Sequence, residues 1–334
     1  MPINTPLALQ HIFETPPSTF EAGSSTTAKR ILDSHNTLGE CIIYDDKTNQ
    51  VLWTDIIGKE FHSLDLSSGS HSVTKLPKML CAFGLREEGP GHLFCWEDGF
   101  QLYDVGNGAA LSEMSEGEDV NPHKLPTRLN DGRCCPSGKR FICGGYYGDI
   151  EGMYMKVYKV EMSNGSDGDH VKLSHESVVE KIQVTNSICW SPDGKTQYLA
   201  DSETSTIFKY DYCHEKGELS NKQVFRKLDV GVPDGSCNDA DGNVWNAVWR
   251  DGVGQSFVQC NNPSGEVIYT VHLPENTSQL TCCCFGGPDL DILFISSAHI
   301  NLDREKEPHA GCVYAVKLAG VKGRVEKRFG LHVS

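Results

Sequence analysis

Asn186-Ser-Ile-Cys-Trp-Ser-Pro-Asp-Gly-Lys-Thr-Gln-Tyr-Leu-Ala-Asp-Ser202 carries the repeating unit of this chain in its shortest form. A polar residue, Asn186, opens a β-prone run, and six residues later Pro192 begins a turn-forming stretch over 192–195. A second run follows at Tyr198-Leu-Ala200, and a third occupies 206–212. Gly, Pro, Asn and Asp supply the backbone angles that tight hairpins need. β-Branched and aromatic residues favour the pleated conformation on either side.

The same order of signals recurs along the chain. Turn-forming stretches begin at Asp46, Glu87, Pro136, Pro192, Ala240 and Gly287, at intervals of 41 to 56 residues. Each is followed by a short apolar run (51–54, 93–96, 141–143, 198–200, 244–248 and 292–295) and then by another (61–66, 100–105, 155–160, 206–212, 256–260 and 313–318). A further strand precedes each turn, beginning at Glu40, Cys81, Asn130, Asn186, Asp234 and Thr281. Helical periodicity is absent over any useful length. Several strands per unit, repeated six times, predict an all-β protein, a six-bladed β-propeller with four-stranded antiparallel blades. A solenoid is the rival architecture, but units with several hairpins suit blades better. The length of 334 residues would ordinarily imply two domains. Repeats escape that expectation because each unit packs on its neighbours. We therefore expect a partly disordered, Ser/Thr/Pro-rich extension over 1–25 and a single propeller over 26–334. Either 29–32 or 324–331 would furnish the outer strand that closes it.

Composition narrows the function. A net charge of −15 argues against nucleic acid and against docking on an anionic membrane. A small-molecule partner is compatible with it. No run approaches the roughly 20 apolar residues that span a bilayer, and the N-terminus lacks the pattern of a signal peptide. The 14 cysteines include the neighbours Cys134-Cys135 and Cys282-Cys283-Cys284, which on a strand point to opposite faces. They read as small buried hydrophobes in a reducing, cytoplasmic setting. No apolar seam assigns an oligomeric state.

Glu40, Asn130, Asn186 and Asp234 occupy one position of the repeat, six residues before a turn. In a propeller, equivalent inner positions form a ring about one axis, here with Cys81 and Thr281. Oxygen donors from Glu, Asn and Asp suit Ca²⁺, Mg²⁺ or Mn²⁺ and accept Zn²⁺. The competing reading is that Asp and Asn cap turns, as they often do, although caps need not share one inner register. Arg128 lies two residues before Asn130 and shares its strand face; it suits an oxygen-rich substrate or an ordinary ion pair. Asp131 would point away, towards a blade loop. Asp55, Asp201 and Trp245 read as blade packing or inter-blade hydrogen bonding. The chain has no Gly-x-Ser-x-Gly elbow, no His-Glu-x-x-His helix and no Walker-type loop.

Taken in order, Leu38-Gly-Glu40, Leu52-Trp-Thr-Asp55, Arg128-Leu-Asn-Asp-Gly132, the 186–202 stretch, Val232-Pro-Asp-Gly235 with Gly242-Asn-Val-Trp245, and Thr281-Cys-Cys-Cys-Phe-Gly-Gly287 with Phe294-Ile-Ser-Ser-Ala298 carry a resemblance. The chain resembles the senescence-marker/gluconolactonase/luciferin-regenerating family of six-bladed propellers. That resemblance implies one divalent cation (Ca²⁺, Zn²⁺, Mg²⁺ or Mn²⁺) held by Glu40, Asn186 and Asp234. It implies substrate contacts from Arg128 and Asn130, with a further acidic contact falling near Asp149 after a one-residue shift. The implied activity is metal-dependent hydrolysis of a sugar-acid lactone; from the chemistry of the site, the catalytic Asp234, or a second carboxylate, would take the proton from the attacking water. A different metal-dependent ester or phosphotriester hydrolase, or a non-enzymatic metal-binding regulator, are the alternatives on the same scaffold. The chain departs from the family where Cys41, Ile42 and Tyr44 follow the first Glu in place of Gly-Pro and a nearby Trp. Ser187 replaces the common Gly, and Gly144-Gly145-Tyr146 replaces Gly-Thr-Met. These changes alter the pocket wall and leave the lactone's identity open.

Overall fold

The structure, a computed structural model, describes residue 12 and residues 17–116, 126–164, 171–251, 256–274 and 277–330. The protein is a six-bladed β-propeller with four-stranded antiparallel blades. Apart from the 3-10 turn Ser202–Thr204, the named elements among the described residues are strands. No helix among them is long and apolar enough to cross a membrane.

The chain divides into two compact units, each holding three blades. One comprises Met1–Lys75 and Leu228–Glu326. Its first blade runs Gly39–Asp45, Gln50–Asp55, Glu60–Asp65 and His71–Lys75. The fifth blade of the chain runs Val232–Asn238, Val244–Trp249, Phe257–Asn261 and Val267–His272. The sixth begins with Leu280–Gly286, Ile292–Ser297 and Val313–Ala319. Its fourth strand is Lys29–Leu32, antiparallel to Val313–Ala319. The outer strand therefore comes from 29–32, while Phe329, at the other expected source, bridges to Arg86 in the second unit. Of the extension expected over 1–25, residues 1–11 and 13–16 lie outside the described residues. Ser18–Thr19 pairs in parallel with Val313–Ala319, and Ser24–Thr27 with Val267–His272.

The other unit comprises Leu76–Lys227 and Lys327–Ser334. Its second blade runs Leu80–Leu85, His92–Trp96 and Gly99–Asp104, with the short strands Ala109–Ala110 and Ser115–Glu116 sharing the outer place. The third runs Arg128–Cys134, Arg140–Tyr146, Met155–Asn164 and Val171–Ile182. The fourth runs Thr185–Trp190, Thr196–Asp201, Thr206–Cys213 and Glu218–Lys227.

Within each unit the blades are held by apolar contact between sheets. Trp245, Tyr269, Phe285 and Tyr314 join the fifth and sixth blades. Trp53, Tyr44, Leu64 and Phe294 join the sixth and first. Ile142, Val157, Trp190 and Tyr212 join the third and fourth. First strands such as Gly39–Asp45 and Leu280–Gly286 are buried along their whole length because sheets cover both faces. That removes the apolar-polar alternation a half-exposed strand would show. Close approach demands glycine in places. A Cβ on Gly84 or on Gly132 would fall 2.7 or 2.5 Å from the ring of Phe141. Phe141 thus fills the space that two neighbouring first strands leave open.

Candidate active site

Every first strand has a register irregularity near its start. The pairing shifts between Glu40 and Ile43, Leu80 and Ala82, Leu129 and Gly132, Asn186 and Cys189, Pro233 and Ser236, and Leu280 and Cys283. A bulge re-aims the side chains beside it and tends to accompany functional positions. Here the six bulges coincide with the repeat position of the polar residues. Cys41 and Ser187, which stand where the family commonly has glycine, have φ of 50° and 59°. Both are in the left-handed region, so the family's glycine preference has a backbone cause at these bulges.

In the first unit the bulges carry Glu40, Asp234 and Thr281. Glu40 and Asp234 are 9% and 5% exposed. The Asp234 carbonyl accepts the Asn246 amide at 2.8 Å, and Asn246 also donates to Ser236 Oγ at 2.9 Å. The Thr281 hydroxyl is engaged with the Gly39 carbonyl and, at 2.8 Å, with Ser296 Oγ. Thr281 therefore ties the sixth blade to the first.

In the second unit the bulges carry Cys81, Asn130 and Asn186. Burial pushes the Cys81 thiol up to about 12, which leaves it a neutral, apolar member of the set. Asn130 and Asn186, on adjacent blades, touch. Asn130 Nδ2 donates to Asn186 Oδ1 at 3.2 Å and to the Thr185 carbonyl at 2.9 Å. Arg128 Nη1 donates to Asn130 Oδ1 at 2.5 Å and to the Leu129 carbonyl at 2.9 Å. The guanidinium lies 4.7 Å from the ring centre of Tyr146, its cross-strand partner. The Tyr146 hydroxyl donates to Asp149 Oδ2 at 2.6 Å. Burial and that carboxylate raise the Tyr146 phenol above its usual range. Arg128, Asn130, Asn186 and Asp149 are thus members of one contact chain. Asp149 occupies its exposed end, on a turn with φ of 56°.

Neither Tyr146 nor Ser202 stood out as a site residue in the sequence. Ser202 Oγ accepts Asn186 Nδ2 at 2.9 Å from the start of the 3-10 turn. A usable signal existed for Tyr146: residues opposite one another on paired strands share a face. Other acidic residues hold the frame. Asp55 accepts the amides of Thr37, Leu38 and Gly58 at 2.7, 2.9 and 2.9 Å. Asp201 accepts those of Gln183 and Val184 at 3.4 and 3.2 Å. Both carboxylates fix the approach to a first strand. Asp131 binds the Ile188 amide of the next blade at 3.2 Å, and burial raises its carboxyl. Trp245 Nε1 donates to Asp239 at 2.9 Å.

Among the described residues no group of three or more His, Cys, Asp and Glu is placed to hold a metal ion. The expected ligand set contains two carboxylates and one amide, and so lies outside that description. Its chemistry fits a hard cation: Glu40, Asn186 and Asp234 all offer oxygen, and all are buried.

Residues 38–299 match the family described as SMP-30/gluconolactonase/LRE-like region. The chain is 30% identical over 313 residues to a regucalcin of Danio rerio, covering 90% of this chain and 97% of that one. It is 30% identical over 311 residues to a 6-deoxy-6-sulfogluconolactonase of Pseudomonas putida, covering 91% and 98%. Among solved structures, a calcium-binding protein, regucalcin, from Agrobacterium tumefaciens superposes with a TM-score of 0.76 at 28% identity, covering 95% of this chain and all of that one. The chain belongs to the SMP-30/gluconolactonase/LRE-like family.

Proposed function

We propose that the protein hydrolyses a sugar-acid lactone with the help of one divalent cation held by Glu40, Asn186 and Asp234. The observation that carries this reading is the hydrogen-bonded series Arg128–Asn130–Asn186, whose two asparagines stand at the same repeat register as the buried carboxylates Glu40 and Asp234. Membership of a family that includes a named gluconolactone hydrolase supports it.

Bound there, a divalent cation would supply Lewis acidity towards the lactone carbonyl and its attacking water. Asp234 would take the proton from that water at a carboxylate oxygen. Arg128, held over the Tyr146 ring, would present its remaining N–H groups to lactone oxygens, and Asn130 would fix their orientation. Asp149, at the exposed end of the same chain, would accept a hydrogen bond from a ring hydroxyl.

A panel of five- and six-membered aldonolactones, followed by proton release, tests the reading. Stripped protein should be inactive, and reloading with Ca²⁺, Mg²⁺, Mn²⁺ or Zn²⁺ should restore turnover. Asp234→Ala should lose at least about 100-fold in kcat, as expected when both a ligand and a base are removed. Cation binding without turnover on any lactone would instead support a binding protein, the description that the Agrobacterium relative carries.

A further inference from the structure

Four side chains of the second unit are joined by hydrogen bonds that all run in one direction. Arg128 donates to Asn130, Asn130 donates to Asn186, and Asn186 donates to Ser202. Arginine has donors and no acceptor, so the Asn130 atom facing it must be oxygen. The Asn130 amide nitrogen then faces Thr185 O and Asn186 Oδ1, both acceptors. The Asn186 amide is thereby turned so that its oxygen meets Asn130 and its nitrogen meets Ser202. An amide oxygen has two lone pairs, of which the Asn130 bond takes one.

We propose that Arg128, Asn130 and Ser202 form an orienting relay that fixes the Asn186 amide with its oxygen, and not its nitrogen, available to a divalent cation. The inference rests on the proposed cation site and assigns to Arg128 a role that needs no substrate. Ser202 is well suited to end the relay. It is buried and its backbone amide is bonded to the Val184 carbonyl at 3.1 Å. It opens a 3-10 turn directly after Asp201, whose carboxylate bonds the Val184 amide in turn. An amide that flips would offer an N–H to the cation, a group that cannot ligate.

Charge and orientation make opposite demands at Arg128. A guanidinium beside a cation site repels the cation, so charge alone predicts tighter binding once it is removed. The relay predicts weaker binding, because Asn130 loses one of the two groups that set its direction and keeps only the Thr185 carbonyl. Ser202→Ala removes an acceptor without changing charge, and groups of this supporting kind typically cost 10- to 100-fold in metal affinity.

The test is calorimetric titration of the chelator-stripped full chain with Ca²⁺, Mg²⁺, Mn²⁺ and Zn²⁺ separately, without lactone. Thermal unfolding of each variant serves as the folding control. We expect binding about tenfold weaker for Ser202→Ala. Binding should also weaken for Arg128→Met and recover in large part for Arg128→Lys, which keeps a donor. Unchanged affinity in Ser202→Ala together with equal or tighter affinity in Arg128→Met would overturn the relay and leave the cation site standing. A wild-type protein that binds none of the four ions would overturn both.

Discussion

His62, His71 and Glu60 of the first blade form a second polar series, and its chemistry is fixed by the acceptor at one end. Glu60 Oε2 lies 3.1 Å from His62 Nε2, and His62 Nδ1 lies 3.0 Å from His71 Nε2. A carboxylate only accepts, so His62 carries its proton on Nε2 and its Nδ1 accepts from His71 Nε2–H. Both rings are stacked with Trp53, with ring centres 4.9 and 5.4 Å away. Burial, and then the neighbouring His62, depress His71 to about 4, although Glu60 opposes the shift. Burial also lowers His62, with Glu60 and Asp55 acting against it and Lys75 adding to it. The folded state therefore favours neutral rings, whereas the unfolded chain takes up a proton near pH 6.5. Stability from this pair is fully present above about pH 6.5 and is lost as pH falls towards 4. His71 is half-buried, so we expect a loss on the order of 1–2 kcal/mol over that window after allowing for solvent screening. Urea unfolding of wild type and His71→Phe at several pH values measures it. The variant should lose most of this slope between pH 6.5 and 4, and an unaltered slope would remove His71 from the account.

At the scale of the strand, the sixth blade depends on a segment far from it in sequence. Lys29–Leu32 supplies its fourth strand, and Ile31 beneath it is 2% exposed. Phe20, just before, lies against Tyr269 and Trp245, with ring centres 5.0 and 5.9 Å away. Ile31→Ala should cost about 2–4 kcal/mol by cavity formation and lost burial, read from chemical unfolding. Removing 1–32 should cost more and leave Val313–Ala319 as an open edge prone to self-association. Full stability of the truncated chain in that assay would mean that the segment only decorates the blade. The strand order was legible because turn residues punctuate it: the strands expected to begin at Glu40, Asn130 and Asp234 lie within Gly39–Asp45, Arg128–Cys134 and Val232–Asn238. The choice between 29–32 and 324–331 was not legible, since a four-residue strand has too few side chains to declare its partner. The bulges were hidden for another reason. An extra residue in a strand is a matter of pairing, and Cys41 and Ser187 adopt positive φ without a glycine to announce it. The polar positions were visible through their register and Tyr146 could be reached through its cross-strand place opposite Arg128, while Ser202 becomes visible only through what it touches.

Across the whole molecule, cysteine is used as core. All 14 cysteines are free, and only Cys213 is not buried. Cys237 and Cys283, from neighbouring blades of one unit, have sulfurs 3.8 Å apart without a bond between them. Burial raises Cys283 and Cys143 well above the usual thiol range, and Cys312 to about 12 with the Asp33 carboxylate adding to the shift. Only a thiolate attacks a disulfide reagent, so these groups are protected twice, by access and by protonation. Native protein mixed with an aromatic disulfide reagent should therefore release one thiol quickly, and Cys213→Ser should abolish that phase. The remaining 13 should react only as fast as the protein opens, so their rate should rise with denaturant in parallel with unfolding. Seven of these buried thiols belong to the unit containing Glu40 and six to the unit containing Asn186, so the stoichiometry of each phase reports which unit opened. Several fast thiols in the native state would mean that the blades breathe without unfolding. A total of 12 under denaturing, non-reducing conditions would mean that one pair had joined, as the adjacent Cys237 and Cys283 could.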